Sequence, residues 1–360
     1  MALNVLSIDS MVQSVEEDVI AWRRHLHQHP EVSFQERETA QFVYDRLSTF
    51  PHLQLTRPTP TSVVARLSGA RPGKTLALRA DMDALPIYEE NDVPYCSQKE
   101  GVMHACGHDG HTAMLLGAAK VLAERQADIA GDILFVFQHA EELLPGGAAE
   151  LVEQGVLDGV DAVVGQHLWQ PLETQRIGIR AGELMASPDT FYITILGRGG
   201  HAAQPHLNVD PIAIGAQVVT NLQHVASRLK DPLHPFVLSV TKFIGGTADN
   251  VIPGSVELCG TVRTFREELR DDAAAWMERI VRGITEAHGA SYTFRYDKGY
   301  RPVINDEQLT AFVQDALVEA FGADMVTSTA PTMGERTFQR IKRLRLGSSS
   351  SRVFRTRKRA

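Results

Sequence analysis

The chain has 360 residues, 43% of them hydrophobic and 22% charged, with a net charge of −8 at neutral pH. That length allows two domains and a sizeable core. The acidic balance argues against a nucleic-acid partner, and no apolar run approaches the roughly 20 residues that a membrane span needs. The start, Met-Ala-Leu-Asn-Val-Leu-Ser, lacks the basic stretch and apolar core of a secretory signal. Three cysteines, Cys96, Cys106 and Cys259, make no disulfide framework, so a reducing cytoplasm is the expected location.

Helical periodicity runs over 11–29 through Val12, Val15, Val19, Trp22 and Leu26, and Pro30 ends it. A second helix is expected over 36–47. Residues 62–68 and 75–80 have strand length, and the second run delivers Asp81-Met82-Asp83-Ala84-Leu85-Pro86. A helix is expected from Thr112. Residues 131–138 read as a buried strand ending in His139-Ala140-Glu141-Glu142. A short helix over 147–154 and a strand at 162–165, ending in Gln166-His167, follow. Strands alternating with helices predict an α/β domain with a parallel-rich sheet. Acidic and histidine residues recur where the strands end, which is where such sheets place their sites.

Around Ser187 the rhythm changes. Strands are expected at 191–196, 236–243, 256–265 and 291–296, with helices over 210–229 and 271–288. The order β-α-β-β-α-β predicts an inserted ferredoxin-like domain. The amphipathic helix expected over 307–321 returns to the first domain. The predicted boundaries are 1–186 and 299–335 for the catalytic domain and 187–298 for the insert.

Residues 103–111, Met-His-Ala-Cys-Gly-His-Asp-Gly-His, concentrate thiol and imidazole groups of the kind that zinc, cobalt or manganese ions accept. Cys106 and His108 reach one centre only from a turn, and Gly107 and Gly110 allow one. The bland alternative is a buried free cysteine beside hydrogen-bonded histidines. Neighbours in a strand face opposite ways, so Glu141 and Glu142 share a pocket only where the strand has ended, as Pro145-Gly146-Gly147 suggests. Such a pair suits one carboxylate binding metal while the other takes a proton from activated water; a solvated loop pair is the alternative.

Met103 to His111, Phe137-Gln-His-Ala-Glu-Glu142 and Gly165-Gln-His167-Leu-Trp169 together resemble the aminoacylase and hippurate hydrolase family of dinuclear-metal amidohydrolases, which cleaves N-acyl and indole-acetyl amino acids. Arg23 to Glu31, Arg79 to Pro86, Gly197 to His206, Asp249 to Pro253 and Gly260 to Arg263 extend the resemblance in order over roughly residues 15–334. The resemblance implies two divalent ions (manganese, zinc or cobalt), with Cys106 bridging them and His108, Glu142 and His167 as further ligands. It implies Glu141 as the general base. Wider relatives carry a metal-binding histidine where Asp81 stands, so Asp81 is expected behind the ligands and Asp83 as the group that orients one of them. His201 would polarise the scissile carbonyl across a homodimer or higher oligomer formed by the insert. Asn250 and Arg263 would hold the carboxylate or carbonyl of a small N-acyl amino acid. No nucleic acid and no membrane enter this reading.

The pattern breaks near the end. Relatives continue past Met333-Gly334 with Ser-Glu-Asp-Phe and later supply a final metal-ligand histidine. Here Gly334 is followed by Glu335-Arg336-Thr337-Phe338, and no histidine follows His288. Ten of the 36 basic residues lie in 336–360, which has no acidic one; the other 335 residues keep 26 basic against 44 acidic groups, a net of −18. A replaced or out-of-frame tail is the expected cause, leaving one ion short of a ligand and the sheet short of an element. A catalytically impaired homologue and a dipeptidase are the alternative functions.

Overall fold

The computed structural model describes residues 5–334 and the main chain of 346–352; the rest of the basic tail lies outside the described residues. The chain divides into two units. The first is made from the described part of Met1–Gly182, from Asn305–Ala330 and from the strand at 346–352; the second is made from Glu183–Ile304 with 331–334.

In chain order the first unit contains α1 (Val5–Gln28), α2 (Arg37–Ser48), β1 (Leu53–Thr56), β2 (Val63–Ser68), β3 (Arg71–Asp81), α3 (His108–Glu124), β4 (Ala130–Gln138), α4 (Gly147–Glu153), β5 (Ala162–His167) and β6 (Ile177–Ile179). The second contains β7 (Gly182–Met185), β8 (Ser187–Leu196), β9 (Gly200–His201), α5 (Pro211–His224), β10 (Phe236–Ile244), β11 (Val251–Ile252), β12 (Ser255–Thr264), α6 (Glu267–Ala287), β13 (Ser291–Asp297) and β14 (Val303–Asn305). The chain then returns through α7 (Glu307–Phe321), β15 (Val326–Ser328) and β16 (Leu346–Arg352).

The first unit is built on a mixed sheet ordered β1-β2-β4-β3-β5-β16-β6-β15. Its centre is parallel, with β3 beside β4 and β5 and with β16 beside β5, whereas β1, β2 and the β16–β6 pair run antiparallel. The central strands are apolar on both faces, as parallel strands covered by helices must be. Phe135 and Phe137 of β4 are fully buried with Val63, Ala65 and Leu67 of β2 and with Leu116 and Ala119 of α3, and Trp22 of α1 and Val43 and Leu47 of α2 close this core. The tail sequence suggests a sheet missing an element, but β16 lies between β5 and β6, pairing from Leu346↔Ala162 to Ser351↔His167. Main-chain pairing needs no particular side chains, so this segment occupies a strand position without an alternating apolar pattern.

The second unit has an antiparallel sheet ordered β10-β12-β8-β13, with α5 and α6 against it. Phe191, Ile193 and Ile195 alternate inward from β8 and meet Val218 and Leu222 of α5 and Met277 and Val281 of α6. Asp210 caps α5 by accepting from Ile212 and Ala213 N–H, and Pro211 supplies a pre-set first helical residue. The buried Asp189 carboxylate takes the Arg270 guanidinium at 2.6 Å, the Tyr296 hydroxyl at 2.8 Å and the Gly299 N–H at 3.0 Å.

Candidate metal centre

Three adjacent parallel strands deliver the site at their C-terminal ends. Asp81 ends β3, Gln138 ends β4 just before His139-Ala140-Glu141-Glu142, and His167 ends β5. Leu85 and Met103 exchange N–H···O bonds of 3.0 Å each, which pins the 103–111 turn to the segment that leaves β3. Gly107 caps α3 with φ +85°, in the left-handed region that glycine adopts readily. The helix expected from Thr112 therefore begins four residues earlier, at His108. Cys106 sits just before the cap, and His108 and His111 share one side of the first turn. A Cβ at Gly110 would come within 2.5 Å of Leu168 Cδ1, so this glycine lets the β5 exit pack against the turn.

The expected ligands converge. Cys106, His108 and His167 form one group and His108, Glu141 and Glu142 another, with ligand atoms in each lying within 4.8 Å of one another. Cys106 Sγ is 3.7 Å from His167 Nε2, and His108 Nε2 is 3.7 Å from Glu142 Oε1. Donors about 2.0–2.3 Å from a tetrahedral ion lie roughly 3.3–3.6 Å apart, so these separations suit ligands of a common ion. Glu142 Oε1 is buried and makes no hydrogen bond, although it faces His108. An acceptor in that position fits a cation better than it fits an apo pocket. Thiolate, imidazole and carboxylate together match zinc, manganese or cobalt.

A third group, Asp81, His108 and His111, meets the same distance criterion. Its His111 already uses both ring nitrogens: Nδ1 donates to Asp81 Oδ1 at 2.6 Å and Nε2 accepts the Leu168 N–H at 2.8 Å. His111 thus braces Asp81 against the segment after His167. Asp81 also takes Arg79 at 2.7 Å, and Arg79 reaches Gln138 Oε1 on the neighbouring strand. Burial alone would raise the Asp81 carboxyl, but Arg79, His108 and His111 outweigh it and hold it well below the usual carboxylate range.

Asp83 orients two site residues. Its backbone oxygen accepts His108 Nδ1–H at 2.8 Å, leaving Nε2 for the pocket. Its carboxylate accepts the Glu142 N–H at 2.9 Å and the Ser33 hydroxyl at 2.6 Å. Burial opposes this charge too, yet His108, Ser33 and the Glu142 amide bring it down to about 2. Burial disfavours charge on His108, but Asp81, Asp83 and Cys106 outweigh it and raise its proton affinity well above the ordinary value. The pocket is therefore negative in potential, which a cation relieves.

His201, Asn250 and Arg263 belong to the second unit. His201 is exposed on β9, opposite Val251 of β11, and the Asn250 carbonyl accepts the Ala202 N–H at 3.0 Å, so these two stand together. Arg263 is half-buried on β12, between Val237 and Pro188.

A further set of residues, not marked out by the sequence, supports the site. His27 bridges Asp109 at 2.8 Å and Glu89 at 3.0 Å, and Arg23 adds a second cation at 3.1 Å from Asp109. Burial would raise Asp109, but His27, His104 and Arg23 hold it far below its ordinary value. These contacts fix the first turn of α3 from behind. Their signal in the sequence lies in the segment Arg23 to Glu31, dense in arginine and histidine.

The chain matches the profile of peptidase family M20/M25/M40 over residues 77–353. It is 65% identical over 301 residues to an N-acyl-L-amino acid amidohydrolase of Geobacillus stearothermophilus, covering 84% of this chain and 81% of that relative. It is 40% identical over 333 residues to thermostable carboxypeptidase 2 of Saccharolobus solfataricus, covering 92% of this chain and 84% of that relative. A crystal structure from Bacillus subtilis, described as a dinuclear metal binding peptidase of the M20 family, superposes with a TM-score of 0.82 at 35% identity, covering 94% of this chain and 89% of that one.

Proposed function

The chain belongs to peptidase family M20/M25/M40, and from that premise we propose that it is a metal-dependent amidohydrolase that cleaves the amide bond of N-acyl amino acids. The observation that carries this reading is the convergence of Cys106 and His108 at the start of α3 with Glu141 and Glu142 just after β4 and His167 at the end of β5. Cys106, His108, Glu142 and His167 would hold two divalent ions. Bound there, the ions supply Lewis-acid polarisation of the amide carbonyl and make water acidic enough for a carboxylate base to deprotonate.

Glu141 is only 3% exposed, so bulk solvent is largely kept away from it, as suits a group that exchanges a proton with one bound water. It takes a proton from the attacking water. The water oxygen bonds to the carbonyl carbon, the C–N bond breaks, and the proton passes from Glu141 to the leaving nitrogen. The products are a carboxylic acid and the free amino acid. Asp83 keeps His108 aimed and holds the backbone at Glu142, while Asp81 and His111 stiffen the wall behind them.

The second unit is read as a ferredoxin-like lid, inserted at 187–298, that also joins copies of the chain into a homodimer. Its strand order β13-β8-β12-β10 supports the ferredoxin-like topology in this reading. His201 would reach a neighbouring copy's substrate and donate to the developing oxyanion. Asn250 and Arg263 would bind the amino-acid carboxylate, for which the guanidinium fork is suited. A thiolate ligand needs a reducing compartment, which favours the cytoplasm.

The test is Glu141→Gln in the metal-loaded enzyme assayed with N-benzoyl-glycine. Turnover should fall by about 10²- to 10⁴-fold while bound metal is retained. Parental activity in that variant would refute the base assignment.

A further inference from the structure

The connector between α1 and α2 carries a carboxyl group that the mechanism above does not use. Glu36 is fully buried. Its Oε1 accepts the Ala140 N–H at 2.6 Å, across 104 residues of sequence. Its Oε2 is buried with no hydrogen-bond partner. Ala140 is itself fully buried and has φ +46°, in the left-handed region that costs an L-residue roughly 1–2 kcal/mol. Glu141 is the next residue.

The backbone beside Glu141 is gripped on both sides. Before it, Glu36 holds the Ala140 N–H. After it, Asp83 holds the Glu142 N–H at 2.9 Å. Both grips are organised by the same short connector. Ser33 donates to Asp83 at 2.6 Å, and the Ala84 N–H donates to the Glu31 carbonyl at 2.7 Å. The connector is fixed in turn: Glu31 Oε2 accepts both the Thr39 N–H at 2.8 Å and its hydroxyl at 2.9 Å, and the Glu36 carbonyl accepts the Ala40 N–H at 2.9 Å. The Phe34 ring stands edge-on to His139, 5.8 Å between centroids.

We propose that Glu36 is a positioning residue for the general base: its buried carboxyl holds the left-handed turn at Ala140 and so aims Glu141, independently of the metal ligands. This rests on Glu141 being the base. The acceptor Oε1 is what the role requires, and a neutral acid or an amide supplies it equally well. Burial pushing the Glu36 carboxyl up to about 7 agrees with a group that functions without charge. Glu142 has its own anchor in Asp83, so loss of Glu36 should disturb the base and spare the ion.

The experiment compares Glu36→Gln, Glu36→Asp and Glu36→Ala in the full chain. kcat and KM are read on N-benzoyl-glycine, the manganese Kd by titration, and Tm by thermal unfolding. Gln keeps the acceptor at the same reach, so kcat should stay within about threefold of the parent. Asp withdraws the acceptor by one methylene and Ala removes it. Each should lower kcat by about 10- to 100-fold, the scale of a 1 Å misplacement, with KM and the manganese Kd within about threefold. Should Ala fail to fold, the Asp variant, which keeps a polar group in the pocket, carries the comparison with Gln.

Parental kcat in the Asp variant, or a Gln variant as impaired as Asp, overturns the inference. So does a loss confined to the manganese Kd. Glu141→Gln run alongside separates the two levels: if it is inactive while Glu36→Asp is parental, only the Glu36 role falls. If Glu141→Gln is as active as the parent, the base assignment falls and takes this inference with it.

Discussion

Glu36 offers a stability measurement whose sign and size follow from its burial. Its carboxyl is pushed from an ordinary 4.5 up to about 7, chiefly by burial, with the nearby Asp83 charge adding to it and the Ala140 amide opposing it. The folded protein therefore favours the protonated group. The stabilisation this represents is complete below about pH 4.5 and is lost as pH rises through about 7. The difference between 4.5 and about 7 corresponds to roughly 3 kcal/mol, most of it lost between pH 5 and 8. Glu36→Gln replaces the neutral acid with a group that never ionises. Urea unfolding of parent and variant, both metal-free, at pH 5 and pH 8 isolates the effect, because all other titrating groups are common to the two. The parent should lose about 2–3 kcal/mol more than the variant over that range. Equal pH dependence in the two proteins would refute the burial argument.

The remaining predictions concern separate parts of the molecule. Among the described residues, Asp189→Ala leaves the buried Arg270 with only the partly exposed Glu267 as counter-charge, and should cost about 3–5 kcal/mol in urea unfolding; a loss under about 1 kcal/mol would show the network to be dispensable. Phe135→Ala empties a fully buried site between the β4 strand and α3 and should cost a similar 3–5 kcal/mol by the same measurement. Because His108 has its proton affinity raised by Asp81 and Asp83, protons compete with metal there; manganese Kd measured by titration should rise steadily as pH falls from 8 to 6. A Kd independent of pH would remove His108 from the ligand set.

Much of the site was legible because chemistry-bearing residues fall where strands end. Glu141-Glu142 and His167 each follow an apolar run, and the turn at 103–111 packs thiol, imidazole and glycine together. The start of α3 was misplaced because the apolar periodicity begins at Thr112, whereas the helix begins as soon as Gly107 turns left-handed. His108, expected on the turn entering the helix, thus stands on the helix's own first turn. The supports were illegible for a different reason. Glu36 and Ala140 are 104 residues apart, His27 and Asp109 are 82 apart, and an ordinary glutamate before a helix announces nothing. The short strands β1, β6, β14 and β15 went unnoticed because three or four residues carry no periodicity. In β16 the run Leu-Gly-Ser-Ser-Ser-Ser-Arg lacks the β-branched and aromatic residues that mark strands, and its place in the sheet is visible only in the backbone pairing.

The most direct test measures metal content per chain together with release of glycine from N-benzoyl-glycine, on the purified 360-residue protein, before chelation, after it, and after manganese is restored. Bound divalent metal is expected, with turnover that vanishes on chelation and returns with manganese. A protein that holds no metal and releases no glycine at saturating manganese would contradict that expectation.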